Sequence, residues 1–161
     1  MIVIVMGVVG SGKTTIGQLL ARQLGWKFAD ADDFHSYANK EKIRHGVALN
    51  DADRKPWLES LRSQIMKWQA AHQNAVLACS ALKSSYRQEL QVASEVQFVH
   101  LRGSPALIAE RLRSRHGHFA DEQILSSQFA DLEEPDAAVT VDIDQPPDQI
   151  VAKIRKELGL A

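Results

Sequence analysis

A glycine-rich loop near the amino terminus has the residue types needed to hold a chain of phosphates. Gly7-Val8-Val9-Gly10-Ser11-Gly12-Lys13-Thr14 matches the pattern G-x-x-x-x-G-K-[ST] at every fixed position. Its glycines let successive backbone N–H groups turn inward around phosphate oxygens, and the following helix adds the partial positive charge of its N-terminus. Lys13 supplies a full charge for the β and γ phosphates, and Thr14 offers a hydroxyl to Mg²⁺. This loop, extended to Thr15, predicts a nucleoside triphosphate site.

A second polar segment, Asp30-Ala31-Asp32-Asp33-Phe34-His35, follows a short candidate strand. From the end of a strand beside the phosphate loop, a carboxylate can reach an acceptor hydroxyl or a magnesium-bound water. We choose Asp32 for contact with the acceptor hydroxyl, because an ordinary aspartate is ionised at neutral pH. His35 is a weaker candidate for the same pocket. A solvated, helix-capping loop is the alternative interpretation of these acids.

The metal site has few candidate ligands. Many phosphate-loop enzymes carry an acid at the end of a separate strand, but here the corresponding strand ends in Cys79-Ser80-Ala81. The sequence therefore predicts that Mg²⁺ relies on Thr14, the phosphates and water, with Asp32 acting through that water. Cys79 itself is interpreted as a small buried side chain rather than a nucleophile.

The elements that must position these residues alternate along the chain. Short apolar runs predict strands at Ile2 to Met6, Lys27 to Ala29, Ala75 to Cys79, Val96 to Leu101 and Val139 to Ile143. Helical patterns predict helices at Lys13 to Leu24, Asn39 to His45, Arg54 to His72, Ser84 to Val92, Pro105 to Arg115, Asp121 to Leu132 and Pro147 to Leu158. For the third helix we expect Asp53 as the N-cap and Pro56 in the first turn.

This alternation predicts an α/β fold with a parallel sheet covered on both faces. Ligands of such sheets bind beyond the carboxyl ends of the strands, where both polar segments lie. The 161 residues fit one domain, for which we expect a single hydrophobic core.

Composition and charge exclude several classes of protein. Lys and Arg number 19 against 20 Asp and Glu, so no overall basic field favours nucleic acid. One cysteine excludes an internal disulfide, and the run Ile2 to Met6 is too short for a signal peptide or a membrane span. We therefore expect a cytoplasmic protein without a membrane or nucleic-acid partner. A GTPase is rejected because Asn39-Lys40-Glu41-Lys42 lacks the Asp of the guanine-recognition sequence.

Beyond the phosphate loop, the sequence resembles the gluconate kinases (gluconokinases) over nearly its whole length. The shared segments are DADDFH from Asp30, LNDADRKPWL from Leu49, ACSALKSSYR from Ala78, HLRG from His100, RLRSRHGHF from Arg111, SQFADLEEP from Ser127 and VDID from Val141. The resemblance implies a P-loop kinase fold, with a five-stranded parallel sheet flanked by helices and a mobile lid. It also implies ATP-dependent phosphorylation of the terminal hydroxyl of D-gluconate with Mg²⁺, and a homodimer is common in this family.

The resemblance also suggests roles for several side chains. Gluconate carries one carboxylate, for which Arg54 and Arg87 are the best-placed partners, and Gln128 is a further candidate for substrate contact. Arg111 and Arg115, four residues apart on one helix face, resemble the lid arginines that close over ATP phosphates. The implied lid spans approximately 111–128, with Gly117 and His118 in it, and the acceptor-binding helical region spans approximately 33–73.

Two alternatives remain open from the sequence. A related P-loop kinase could act on another small acceptor such as shikimate or a nucleoside monophosphate, because a few pocket side chains decide the acceptor. A module that binds ATP without turnover would leave Asp32, Arg54 and the lid arginines without a role.

Overall fold

The computed structural model describes residues 1–115 and 119–161, and within these it gives no side-chain description for residues 115 and 119–122. Its centre is one sheet of five parallel strands in the order β2-β3-β1-β4-β5. The strands are β1 (Ile2–Met6), β2 (Lys27–Asp30), β3 (Ala75–Ala78), β4 (Val96–Arg102) and β5 (Val139–Asp142). The predicted parallel sheet is confirmed, and each predicted strand is found within one residue of its expected ends.

Seven α-helices lie among the described residues. They are α1 (Lys13–Leu24), α2 (Tyr37–Arg44), α3 (Asp51–Ala70), α4 (Ser84–Leu90), α5 (Pro105–Arg115), α6 (Phe119–Asp131) and α7 (Pro147–Glu157), and a short 3₁₀ turn covers Ala31–Phe34. The patterns predicted both ends of α1 and α5, because buried positions recur there at helical spacing.

The expectation of a single core was wrong: the structure has two hydrophobic cores, and they explain why the central strands are apolar without interruption. Val3 and Val5 of β1 face a core built with α1, α5 and α7, whereas Ile2 and Ile4 face a core built with α3 and α4. Since successive side chains of a strand point to opposite faces, a central strand covered on both sides must be apolar at every position. All five residues of β1 are fully buried.

The start of α3 differs from its prediction. The helix begins three residues earlier than expected, and its N-cap is Asn50, whose side chain accepts a hydrogen bond from the Asp53 N–H at 2.8 Å. The Asp53 Oδ2 accepts a hydrogen bond from the Asn50 N–H at 3.1 Å, which completes a capping box. The prediction of Asp53 as N-cap was therefore wrong, and Pro56 lies in the second turn rather than the first.

Within the described part of the chain, no helix combines the length and the apolar character that crossing a membrane would require.

Candidate active site

The phosphate loop connects the end of β1 to the start of α1 in a backbone form that requires glycine. Gly7 and Gly10 have φ angles of 151° and 81°, in the region that side chains disfavour. A Cβ on Gly7 would lie 2.7 Å from the Ser11 Oγ, and one on Gly10 would lie 2.8 Å from the Leu112 Cγ. The loop backbone therefore packs closely against the side chain of its own Ser11 and against Leu112 of α5.

The N-terminus of α1 is left open to a ligand. Its N-cap is Gly12, at φ 98°, so no side chain caps the helix and no acid lies in its first turn. The backbone N–H groups of a first helical turn have no partner within the helix, and the helix dipole adds positive charge at this end. These features fit a phosphate group, which would accept hydrogen bonds from the exposed N–H groups.

Lys13 lies at this helix terminus with its charge directed back toward the loop. Its Nζ donates to the Val8 carbonyl oxygen at 3.1 Å. Burial lowers the pKa of Lys13, and the negative charge of Asp32 acts in the opposite direction. A half-buried ammonium group with one backbone partner can exchange that partner for a phosphate oxygen, as the motif predicts.

Asp30, rather than Asp32, is the acid that contacts the motif threonine. The Thr14 hydroxyl donates to the Asp30 Oδ2 at 2.8 Å, and the other Asp30 oxygen accepts from the Asp32 N–H at 2.9 Å. The role of Asp32 through a magnesium-bound water stays a prediction, and Asp30 is a further acid beside Thr14 that the sequence analysis did not select. Mg²⁺ prefers oxygen ligands, and here a hydroxyl oxygen and a carboxylate oxygen lie side by side, so the pair fits this ion.

Sequence reasoning missed Asp30 because it could not order the strands. β3 lies between β1 and β2, so the carboxyl ends of β1 and β2 flank that of β3. The position of Asp30 at the last residue of β2 was the available signal, since the end of a strand is where ligands of a parallel sheet bind.

Asp32 lies two residues further along the chain, within the 3₁₀ turn that Asp30 caps. Burial raises the pKa of Asp32, and the neighbouring Asp30 raises it further, while Lys13 lowers it. Its side chain still reaches solvent across a cavity of about 280 Å³ that it lines together with Lys13 and Thr14. Asp32 and the phosphate loop therefore share one space.

The far wall of this cavity comes from the segment that the resemblance assigned to the acceptor. His35, Arg54 and Trp57 line it, and so do Ile43, Val47, Ala48 and Leu49. Arg54 is 9% exposed and donates from Nη1 to the Tyr86 hydroxyl at 3.0 Å and from Nη2 to the Asp131 Oδ2 at 3.1 Å. These partners hold a cationic group in the cavity wall opposite the phosphate loop.

The structure does not bring Arg87 to this cavity. Its guanidinium donates to the carbonyl oxygens of Ala81 at 2.8 Å, Leu82 at 3.0 Å and Glu133 at 2.9 Å. The predicted role of Arg87 as an acceptor-binding residue is therefore not supported by its position. The three carbonyl groups explain the position: they belong to loops that have no strand partner, and Arg87 satisfies them.

Gln128 contacts the phosphate loop directly. Its Oε1 accepts a hydrogen bond from the Val9 N–H at 2.6 Å, and the residue lines the same cavity as Lys13 and Asp32. Since Gln128 belongs to α6, which also carries Asp131, this helix contacts both the phosphate loop and Arg54.

Arg111 lies beside a second cleft next to the loop, of about 500 Å³. Gly10, Gly12 and Thr15 line this cleft on one side, and Gln145 and Pro147 line it on the other. The Arg111 Nη2 donates to the Ile143 carbonyl oxygen at 2.8 Å, which fixes α5 against the segment after β5. The side chain of Arg115, with Gly117 and His118, lies outside the described residues.

Cys79 follows β3 directly and is buried. Burial raises the pKa of its thiol to about 12, so the side chain stays protonated and apolar at neutral pH.

The known proteins that this chain resembles are kinases, in agreement with the phosphate loop and the cavity described above. The family model described as shikimate kinase matches residues 9–158. A Xenopus tropicalis protein named probable gluconokinase is 43% identical over 98% of this chain and 93% of its own. An unliganded sugar kinase from Janibacter sp. HTCC2649 superposes with a TM-score of 0.91 at 41% identity, over 99% of this chain and 95% of its own.

A gluconokinase from Sinorhizobium meliloti 1021 superposes with a TM-score of 0.88 at 37% identity, over 98% of this chain and 90% of its own. Likeness at this level extends over both the phosphate loop and the acceptor wall. The chain therefore belongs to the gluconokinase family of P-loop kinases.

Proposed function

We propose that this protein is a kinase that transfers the γ-phosphoryl group of ATP to the terminal hydroxyl of D-gluconate, forming 6-phospho-D-gluconate and ADP. One observation carries the proposal: Lys13 of the phosphate loop, Asp32 and Arg54 line a single cavity. A donor loop, a carboxylate and a cation are the three groups that phosphorylation of a hydroxy acid requires.

Backbone groups from Gly7 to Thr15 bind the phosphates of ATP. The open N-terminus of α1 supplies N–H donors, and Lys13 moves its ammonium group from the Val8 carbonyl oxygen to the β and γ phosphates. In the transition state, negative charge is spread over the three equatorial oxygens of the γ-phosphoryl group and the oxygen that leaves with ADP, so this fixed positive charge stabilises the transition state more than the ground state.

Asp32 orients the acceptor and receives its proton. Its carboxylate accepts a hydrogen bond from the terminal hydroxyl; as the oxygen bonds to phosphorus, the proton passes to Asp32 and the bond to the ADP oxygen breaks. The raised pKa of Asp32 makes it a better proton acceptor than an ordinary aspartate. Since phosphoryl transfer is loose, its orienting role contributes from the start of the reaction.

Arg54 binds the carboxylate of gluconate. Tyr86 and Asp131 use two of its five N–H donors, which leaves others for a charged ligand in the cavity. The region 33–73, which contributes most of the cavity wall opposite the loop, thereby serves as the acceptor-binding region. His35 of the same wall and Gln128, which lines the cavity beside the phosphate loop, are further candidates for acceptor contact.

Mg²⁺, when bound to the phosphates, supplies charge neutralisation and alignment. Thr14 and Asp30 would hold it, Thr14 through its hydroxyl and Asp30 as the neighbouring carboxylate.

The cleft between α5 and the segment after β5 is proposed for the adenine of ATP. Arg111, Gln145 and Pro147 line it, and it opens beside the phosphate loop. Arg111 and Arg115 are proposed to stabilise the phosphates from a lid spanning approximately 111–128, within the single domain 1–161.

We also propose a cytoplasmic location and a homodimer. Sedimentation velocity would measure the oligomeric state.

The direct test is ADP release with Mg-ATP and a panel of acceptors: gluconate, related aldonates, shikimate and AMP. We expect gluconate to give the largest kcat/KM. Greater turnover with shikimate, after which the matching family model is named, or with AMP would identify another acceptor. Acceptor-independent binding of ATP without ADP release would identify a non-catalytic module. Lys13→Ala is the control and should remain folded with turnover lower by orders of magnitude.

A further inference from the structure

Asn39 of α2 is a buried amide between His35, which lines the acceptor cavity, and the backbone of Asp53. It is 6% exposed, and its Nδ2 donates to the Asp53 carbonyl oxygen at 2.7 Å. A backbone carbonyl can only accept a hydrogen bond, so this contact identifies the end of the Asn39 side chain that carries the N–H groups. The same nitrogen lies 3.3 Å from the Nδ1 of His35.

That contact decides where the proton of His35 resides. An amide nitrogen only donates, so the His35 Nδ1 must accept with its lone pair. Burial lowers the pKa of His35 to about 4, and the charges of Arg54 and Lys40 lower it too, so the ring is neutral at pH 7. A neutral imidazole whose Nδ1 accepts carries its only proton on Nε2.

The plane of the ring is also fixed. His35 stacks on Trp57 with ring centroids 4.4 Å apart and an interplanar angle of 11°. The Trp57 Nε1–H donates to the Ala31 carbonyl oxygen at 2.7 Å, and this bond holds the Trp57 ring in place. His35 lines the cavity shared by Asp32 and Arg54, and none of the described residues accepts a hydrogen bond from its Nε2.

We propose that Asn39 is a positioning residue that makes His35 present Nε2–H, a hydrogen-bond donor, to an oxygen of the sugar acid in the acceptor cavity. The inference rests on the proposed function for the identity of the acceptor. A donor at this point selects a ligand oxygen with a free lone pair, such as a chain hydroxyl or the carboxylate of a polyhydroxy acid. In the opposite tautomer the proton would lie on Nδ1, and Nε2 would then require a hydrogen-bond donor from the ligand.

The first test reads the tautomer directly in the ligand-free protein. Nitrogen-15 NMR of wild-type protein at pH 7 should show a protonated Nε2 and an unprotonated Nδ1 for His35. A protonated Nδ1 would overturn the inference. This measurement needs no turnover, so absence of gluconate-dependent ADP release would refute the proposed function without affecting the NMR result.

The second test uses a double-mutant cycle. We expect Asn39→Ala to raise the gluconate KM about tenfold with the ATP KM unchanged, because the His35 ring then samples both tautomers. His35→Gln should raise the gluconate KM similarly, and the double variant should be no worse than the worse single variant. Additive effects of the two substitutions would contradict a role for Asn39 through His35.

Asn50→Ala is the matched control. It removes the other asparagine contact at the start of α3, the N-cap bond to the Asp53 N–H, without touching His35. We expect it to lower thermal stability while leaving the gluconate KM and the His35 tautomer unchanged. An equal rise in the gluconate KM would assign the Asn39 effect to loosening of α3 and overturn the proposal.

Discussion

The contact between Thr14 and Asp30 links the start of α1, which follows β1, to the end of β2, a strand that is not a neighbour of β1 in the sheet. The hydroxyl of the phosphate-loop threonine and the carboxylate at the end of β2 are 2.8 Å apart, with β3 between their strands. The P-loop pattern identified Thr14 from its spacing alone. Its partner could not be identified in the same way, because three acids lie within four positions and only the strand order selects one of them.

Asp30→Asn tests this contact at the residue scale. The substitution keeps an oxygen for the Asp32 N–H but replaces the negative charge beside Thr14 with a neutral amide. We expect the Mg²⁺ concentration for half-maximal activity to rise about tenfold or more, because an oxygen site for Mg²⁺ depends on its carboxylate charge. Asp33→Asn, an exposed neighbour, should leave this concentration unchanged; an equal change in both variants would contradict the role given to Asp30.

The neutral His35 ring predicts a pH dependence of stability. Its pKa in the folded protein is about 4, below the 6.5 of an unfolded chain. Between these values only the unfolded state binds the proton, so the free energy of unfolding falls as pH decreases from 6.5 to 4, by at most about 3 kcal/mol from this group. Below pH 4 both states are protonated and the contribution no longer changes.

Urea unfolding of wild type and His35→Gln at several pH values measures this effect. We expect the variant to lose less stability than wild type over pH 6.5 to 4, while buried His100, whose pKa burial also lowers, contributes to both proteins. Identical slopes for the two proteins would mean that the pKa of His35 is the same in the folded and unfolded states, which would contradict the neutral buried ring.

At the element scale, two arginines with equal burial have different tasks. Arg54 and Arg87 are each 9% exposed, yet Arg54 of α3 lines the acceptor cavity whereas Arg87 of α4 satisfies three loop carbonyl groups. The sequence suggested both as partners for a carboxylate. Arg87 could not be separated from Arg54 in this way, because one of its partners, Glu133, lies 46 positions away along the chain.

The matched pair Arg54→Ala and Arg87→Ala separates binding from stability. Arg54→Ala should raise the gluconate KM about tenfold or more with a smaller change in the ATP KM, because a charge-assisted contact to the acceptor is lost. Arg87→Ala should lower the free energy of unfolding by about 2–4 kcal/mol, because buried carbonyl groups lose their donor. Steady-state kinetics and urea unfolding of both variants measure this contrast. A large, selective rise in the gluconate KM for Arg87→Ala would restore it to the acceptor site.

The helices show where local pattern suffices and where it does not. Apolar spacing predicted α1 and α5 at both ends, since each buries one regular stripe against the sheet. The start of α3 was missed because Asp53 has the residue type of an N-cap, yet its side chain completes a capping box from inside the helix. That box requires Asn50 three residues earlier, which lies outside the apolar periodicity.

At the scale of the whole molecule, the strand order brings residues from distant segments together at the carboxyl ends of the strands. Strict alternation of strands and helices predicted the parallel sheet and its buried strands. It did not predict the order β2-β3-β1-β4-β5, which depends on the packing of helices on both faces. The phosphate loop, Asp30 and the acceptor wall meet because of that order.

Hydrogen exchange tests the proposed lid at this scale. We expect amides of residues 111–128 to exchange more slowly when an ATP analogue and gluconate are both bound, because the proposed lid then closes over the phosphates. Amides of residues 154–157, at the end of α7 that does not line the proposed adenine cleft, serve as the internal reference and should not change. Protection of the phosphate loop without any change in 111–128 would mean that this segment is not a lid.

A crystal structure with Mg²⁺, a non-hydrolysable ATP analogue and gluconate tests the central claim most directly. We expect the terminal phosphate of the analogue against Lys13 and the terminal hydroxyl of gluconate within hydrogen-bond distance of the Asp32 carboxylate. Phosphates bound away from residues 7–15, or an Asp32 side chain turned away from the sugar acid, would contradict it.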